Sequence, residues 1–263
     1  MHKDIDRIPG RPADGKFINR PQEQVDSILN RTGDTIILDN FISDQDIDIL
    51  LEIYNNGTGK DYKNIGWEND LRTGPTTLIV REFKEDTRFI EVFDRIQNKL
   101  GINLKIWGGN FFETTKPYII HNDVDFRHDR IPGKCLVIPL VKNYNSDKYK
   151  ASNDDAKFYI FDQMFFHGAV KCFKNSKDIV SPYNVPLYDY KDIHGIHSDN
   201  RIPDIDAGHM KQEWLEGFSI ESACNWVPGD VIVFDCVRLH CASNFLDHGI
   251  ESKIGLSLFT SYT

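Results

Sequence analysis

Between residues 35 and 100 the apolar positions mostly recur at helical spacing. Beyond residue 100 they alternate or run together as strands do. Thr35–Leu38 reads as a short strand. Ser43-Asp44-Gln45-Asp46 resembles a capping box. It stands ahead of Ile47, Ile49, Leu50, Leu51 and Ile53, the apolar face of a helix that Asn55-Asn56-Gly57 would stop. A second helix is expected over 86–100, where Phe89, Val92, Phe93, Ile96 and Leu100 follow the 3–4 spacing and Gly101 ends the run. Strands are expected at Leu78–Arg81, Asn103–Trp107, Asn110–Thr114, Tyr118–Asp123, Lys134–Val141, Lys157–Phe161, Gln163–Phe166, Asp230–Phe234 and Lys253–Phe259. The pattern is mainly β with N-terminal helices, and its turn signals suggest a sandwich or barrel. Residues 1–34 are polar and rich in Pro, Gly and Arg, and read as an arm. Residues 142–156 and 173–216 are polar and loop-like. The second is too long for a plain connector and reads as a lid or a substrate-side insertion.

Composition narrows the partners. The chain has 263 residues, enough for one large domain. Its net charge of −9 argues against a nucleic-acid partner, which usually leaves a basic footprint. The five cysteines (135, 172, 224, 236 and 241) are odd in number and show no CxxC spacing, so reduced thiols in a cytoplasmic protein are expected. The polar N-terminal stretch has no apolar core of a secretory signal, and no window approaches a membrane span. A membrane partner is therefore not expected.

The chemistry gathers around YIIHNDVDF, residues 118–126. A core-like apolar run ends there in groups that are costly to bury. On a strand, residues i and i+2 share a face, so His121 and Asp123 would point the same way. Together they could hold a divalent metal, with Asp125 an alternative to Asp123. The third ligand is sought in WVPGDVIVFDCVRLHCASNF, residues 226–245, where His240 follows a turn and a strand. Two histidines and one carboxylate are the facial set of non-haem Fe(II) oxygenases. Three protein ligands leave three positions open, two for a chelating co-substrate and one for dioxygen. On the last strand Lys253, Gly255 and Ser257 share one face, with Ile254, Leu256 and Leu258 on the other. An interior lysine needs an anionic partner, and a ligand carboxylate would serve, with Ser257 donating to it. The plainer readings are a core histidine beside a surface aspartate and a lysine that snorkels to the rim. His167 reads as packed or substrate-facing, His128 as a loop residue, and Cys236 and Cys241 as small core residues. Arg127 and Arg130 read as solvated charges or as holders of an anionic substrate.

The order HxD, distal His, then a basic residue on the next strand resembles the Fe(II)/2-oxoglutarate-dependent oxygenase superfamily, from about Ile36 onward. YIIHND is similar to the Y-x-x-H-x-D of its prolyl-hydroxylase-like branch. PGDVIVFDCVRLH is similar to its Gly-Asp turn, strand and distal histidine. The resemblance implies a double-stranded β-helix (jelly-roll) core, in one oxygenase domain over 35–263 with an insertion around 142–216. It also implies Fe(II) on His121, Asp123 and His240. Lys253 would pair with the far carboxylate of 2-oxoglutarate, Ser257 would assist, and Tyr118 would be a further member of that pocket. The implied activity is a dioxygenase that hydroxylates a small molecule or peptide side chain and releases succinate and CO2. Two features depart from the branch. Lys253 stands where many members carry arginine, and a point charge is not a bidentate fork. The Asp123-to-His240 spacing is long, so substrate identity does not transfer. The aromatics Phe158, Tyr159, Phe165, Phe166, Tyr183, Tyr188 and Tyr190 fit a small molecule or a peptide side chain equally. The rival readings are a cupin-like metal enzyme without 2-oxoglutarate and a non-catalytic jelly-roll binding module.

Overall fold

The computed structural model describes residues 20–56, 76–79, 85–124, 130–145, 156–168, 170 and 193–262. Three helices precede most of the strands: α1 (Gln22–Leu29), α2 (Asp44–Asn56) and α3 (Thr87–Leu100). The strands are β1 (Ile36–Leu38), β2 (Thr76–Ile79), β3 (Leu104–Thr114), β4 (Pro132–Tyr144), β5 (Lys157–Met164), β6 (Ile220–Asn225), β7 (Val231–Asp235), β8 (Arg238–Ala242) and β9 (Ile250–Tyr262). They form a six-stranded sheet in the order β1-β7-β4-β9-β3-β2 and a three-stranded sheet in the order β6-β5-β8. All pairings are antiparallel. The result is mainly β, with a jelly-roll-like pair of sheets and helices α2 and α3 on one outer face.

Strand alternation explains why these strands are apolar almost throughout. In β4 and β7, Leu136, Ile138, Val231 and Val233 face the helices, where they meet Leu50, Ile53, Phe89, Val92, Phe93 and Ile96. Their neighbours Cys135, Val137, Ile232 and Phe234 face the small sheet and meet Phe158 and Ile160 of β5. A sheet covered on both faces has no polar side to write into its sequence. The small sheet is covered twice as well. Tyr159, Phe161, Leu239 and Cys241 turn outward onto Ile119, Ile120, Met210, Trp214 and Phe218. The inward face of β8 is left to Arg238, His240 and Ala242, so the period of the strand carries His240 between the sheets.

Helices α2 and α3 start on local signals. The Ser43 hydroxyl donates to the Asp46 carboxylate at 2.7 Å, and accepts from the Asp46 N–H at 3.2 Å. Asp46 also accepts from the Ser43 N–H at 3.2 Å, which closes the capping box of α2. Asp46 pairs with Arg95 of α3 at 2.6 Å, so the same cap ties the two helices. Burial raises its pKa, but Arg95 and Ser43 more than offset that, and the carboxyl titrates below its ordinary range. Ser43→Ala is expected to lower stability by about 1 kcal/mol, read as a drop in the urea midpoint with an unchanged slope. Asp86 caps α3 by accepting from the Arg88 N–H at 2.9 Å, and Gly101 ends it at φ 66°.

Several expected elements differ. The two strands expected over 103–114 are one, β3, which passes a register shift between Ile106 and Gly108. Those expected over 157–166 are likewise the single β5. Tyr118–Asp123 is not a strand and keeps only an isolated bridge between His121 and His240. The reason lies in Ile119 and Ile120. They are consecutive, and both pack into the same outer core, which alternation along a strand forbids. The arm expected over 1–34 contains α1, whose Val25 and Ile28 are buried against the core between the sheets. Among the described residues, no helix is long and apolar enough to cross a membrane.

Candidate metal centre

His121, Asp123 and His240 stand together, with their ligand-type atoms all within 4.8 Å of one another. Three backbone bonds assemble them from two stretches of chain. The His121 N–H donates to the His240 carbonyl at 3.0 Å, and the His240 N–H donates back at 2.8 Å. The Asp123 N–H donates to the Cys236 carbonyl at 3.3 Å. The bridge brings the imidazoles to a centroid separation of 4.1 Å. Asn122 locks the turn between the two HxD residues. Its amide donates to the Phe165 carbonyl at 2.9 Å and accepts from the Val170 N–H at 2.7 Å.

Both imidazoles present the same nitrogen. His121 Nδ1 lies 2.8 Å from the Ile119 carbonyl, and His240 Nδ1 lies 3.2 Å from the Arg238 carbonyl. A carbonyl only accepts, so each Nδ1 carries a proton, and Nε2 is the nitrogen each ring would offer to a metal. His121 Nε2 lies 3.9 Å, and His240 Nε2 3.2 Å, from the oxygens of Asp123. Donors about 2.1 Å from a cation and at right angles would stand about 3.0 Å apart, so the spacing is close to that of a facial site. The Nδ1–H bonds to carbonyls are the outer partners that metal-binding histidines usually have. His240 is buried, and its ring packs on Phe158 at 5.1 Å and Phe234 at 4.8 Å.

The electrostatics favour an ionised aspartate. Burial pushes the Asp123 carboxyl up, but His240, then His121 and the Cys135 thiol, outweigh it, and the net direction is down. Cys135 Sγ donates to Asp123 at 3.4 Å. Burial, then Cys236, holds the Cys135 thiol well above its ordinary range, so it stays protonated as a donor. Cys135, Cys224, Cys236 and Cys241 are all buried free thiols.

Lys253 lies on β9 and is 1% exposed. Its Nζ sits 4.4 Å from the ring centres of both Trp226 and Phe245. Burial, then the Lys142 ammonium, brings its pKa down to about 7. Among the described residues no carboxylate pairs with it. Gly255, two positions on, makes room for this arrangement: a Cβ there would come within 2.8 Å of the Trp226 ring and 2.9 Å of Phe112. Ser257 follows on the same face and is half-buried, while Ile254, Leu256 and Leu258 pack toward the helices. The Tyr118 ring stands edge-on to His121 with centroids 4.5 Å apart. The structure thus joins His121, Asp123, His240 and Tyr118 in contact and sets Lys253 and Ser257 on one interior strand face.

Other candidates fall elsewhere. His167 Nδ1 accepts from the Arg20 N–H at 3.1 Å, and Arg20 also donates to the Phe166 carbonyl at 2.7 Å, so both residues dock the N-terminal segment. Phe158, Tyr159, Phe165 and Phe166 are buried core residues rather than a substrate-facing set. Asp125, Arg127, His128, Cys172, Tyr183, Tyr188 and Tyr190 lie outside the described residues. Phe245, whose ring centre lies 4.4 Å from Lys253 Nζ, carries no local sequence signal of that placement.

No family model matches the chain, and no curated protein matches it. Solved structures similar to it include a Pseudomonas putida prolyl-4-hydroxylase, at 10% identity and a TM-score of 0.46 over 92% of this chain and 98% of that one. EctD from S. alaskensis with bound Fe is similar at 12% identity and a TM-score of 0.46, over 94% and 79%. The non-heme alpha ketoglutarate dependent epimerase SnoN from nogalamycin biosynthesis is similar at 11% identity and a TM-score of 0.46, over 91% and 82%.

Proposed function

We propose that the chain is an Fe(II)- and 2-oxoglutarate-dependent oxygenase with a double-stranded β-helix core, probing a C–H bond of a small molecule or peptide side chain for hydroxylation. The observation that carries this reading is the convergence of two imidazole Nε2 atoms and one ionised carboxylate within 4.8 Å. That donor set suits a ferrous ion with open positions better than a thiolate-seeking metal. His121, Asp123 and His240 would hold the ion. Bound there, Fe(II) would supply the redox chemistry that couples dioxygen and a 2-oxoacid to oxidation of the substrate. The chain's own part is placement. The Ile119 and Arg238 carbonyls fix the two histidine tautomers, and Cys135 and the Cys236 carbonyl orient Asp123. Phe158 and Phe234 keep water from the His240 side. Lys253 would take the far carboxylate of the 2-oxoacid, with Ser257 and Tyr118 in the same pocket. A bound carboxylate would neutralise an ammonium that stands against two aromatic faces and pairs with no carboxylate among the described residues.

The test is an anaerobic titration of the metal-free protein with Fe(II), followed by 2-oxoglutarate. The expected result is stoichiometric Fe(II) binding and then the visible charge-transfer band of a chelated 2-oxoacid. Metal binding without the band would favour a cupin-like enzyme. No metal binding would leave a jelly-roll binding module.

A further inference from the structure

Residues 20–33 are fastened at both ends to groups that orient the metal ligands. At the first end stands Arg20, only 6% exposed. Its Nε donates to the Phe166 carbonyl at 2.7 Å, its Nη1 to the Arg130 carbonyl at 2.9 Å, and its own N–H to His167 Nδ1 at 3.1 Å. The stretch it grips also holds Asn122, which lies between the two HxD ligands. The Asn122 amide donates to the Phe165 and Gly168 carbonyls at 2.9 and 3.2 Å, and accepts from the Val170 N–H at 2.7 Å. Asn122 and Arg20 therefore take the adjacent carbonyls of Phe165 and Phe166.

At the other end the Gly33 N–H donates to the Asp235 carboxylate at 3.0 Å, and the Gly33 carbonyl accepts from Arg238 Nη2 at 3.3 Å. Asp235 precedes Cys236, whose carbonyl takes the Asp123 N–H, and the Arg238 carbonyl takes the Nδ1 proton of His240. Asp235 is itself held by Lys134 at 2.7 Å. Between the two anchors lies α1. Its eight residues are too few for a helix to persist alone in water. It stands because Val25 and Ile28 join the buried cluster that contains Val124, Cys135, Phe166 and Cys236. Val124 follows Asp123 in sequence, and the Cys135 thiol donates to the Asp123 carboxylate. A helix with so little stability of its own depends on what it docks against.

We propose that residues 20–33 form a strap that positions the metal ligands, with Arg20 as its positioning residue, so that docking of the strap and binding of the ion strengthen each other. This rests on the metal-binding part of the oxygenase reading. The strap supplies no ligand. It acts through Phe166, Asp235 and Arg238 on the backbone that carries or orients His121, Asp123 and His240. Such coupling is reciprocal: the factor by which docking tightens the ion is the factor by which the ion tightens docking.

The test uses the full chain with Fe(II) under anaerobic conditions and takes two readouts. One is the rate at which an excess of a colour-forming ferrous chelator strips the ion. The other is backbone hydrogen exchange in α1, with and without Fe(II). In the unmodified protein Fe(II) is expected to slow exchange in α1 about tenfold, the low end of what an outer partner of a metal ligand contributes. Arg20→Met keeps the length of the side chain but loses both carbonyl bonds, and it is expected to speed Fe(II) release by about the same factor. Arg20→Lys keeps the charge but not the fork that reaches two carbonyls. It is expected to fall between, and it decides the matter if the methionine variant does not fold. Faster exchange in α1 with unchanged Fe(II) release is what a purely structural tie would give, and it overturns the inference. So does exchange in α1 that does not respond to Fe(II) in the unmodified protein. If the unmodified protein binds no Fe(II), the oxygenase reading itself fails and takes the inference with it.

Discussion

Replacing His240 with alanine is expected to lower Fe(II) affinity by at least about 100-fold, because loss of an outer partner alone commonly costs 10–100-fold and here a ligand goes. The same loss should appear in thermal stability. Metal at about 100 times its Kd stabilises a folded protein by about 2.7 kcal/mol, which for a chain of this size raises Tm by roughly 5–10 °C. That rise should be present in the unmodified protein and absent from the variant. His240 is buried against Phe158 and Phe234, so alanine also leaves a cavity. His240→Gln fills more of that space and separates the two effects: packing is largely kept, while the imidazole Nε2 is gone. An equal Fe(II)-induced rise in both variants and in the unmodified protein would mean that the ion binds elsewhere, and the facial site would be abandoned.

How much of this was legible in the sequence depends on where each signal is stored. α2 and α3 carry their signals locally. Ser43 and Asp46 cap the first, Asp86 and Gly101 bound the second, and both write an apolar face at helical spacing. The interior face of β9 was equally readable, since Lys253, Gly255 and Ser257 alternate with three aliphatic residues that pack toward the helices. α1 was not readable. Its eight residues contain few apolar positions, and docking of Val25 and Ile28 into the core between the sheets holds it in place. β8 was hidden for the opposite reason. It turns Leu239 and Cys241 outward under a cover and Arg238 and His240 inward, so its polar side faces the interior.

The HxD motif gave the right pair of neighbours for a reason that the structure replaces. His121 and Asp123 do not meet by strand alternation. His121 is pinned by its bridge to His240, Asp123 by the Cys236 carbonyl, and Asn122 holds the turn between them. Nothing within YIIHND encodes those partners, which come from β8 and the turn before it. Local pattern finds groups whose partners are three or four residues away. It does not find groups whose surroundings are made by the closing of two sheets.

Lys253→Met is expected to make the metal-free protein more stable at pH 7 while removing 2-oxoglutarate binding. The lysine is fully interior, and its pKa falls from 10.5 to about 7, chiefly through burial and then through Lys142. Between about pH 7 and 10.5 the unfolded chain therefore binds a proton that the folded chain has released. Stability at this group rises with pH through that window, and the full penalty applies below about pH 7. Methionine removes a penalty on the order of 3–5 kcal/mol and sets its thioether against Trp226 and Phe245, where sulfur is well tolerated. Urea unfolding at pH 6, 7 and 9 checks the sign. The gain of the variant over the unmodified protein should be largest at pH 6 and should shrink at pH 9. A variant that is less stable at pH 6 would show that the ammonium has an anionic partner in the resting protein and that no open carboxylate position stands beside it. Saturating 2-oxoglutarate with Fe(II) should reverse the order of stability, because only the unmodified protein gains from a carboxylate on Lys253. A buried charge that weakens the empty fold and is neutralised by ligand is the physical signature of a binding group kept for its occupant.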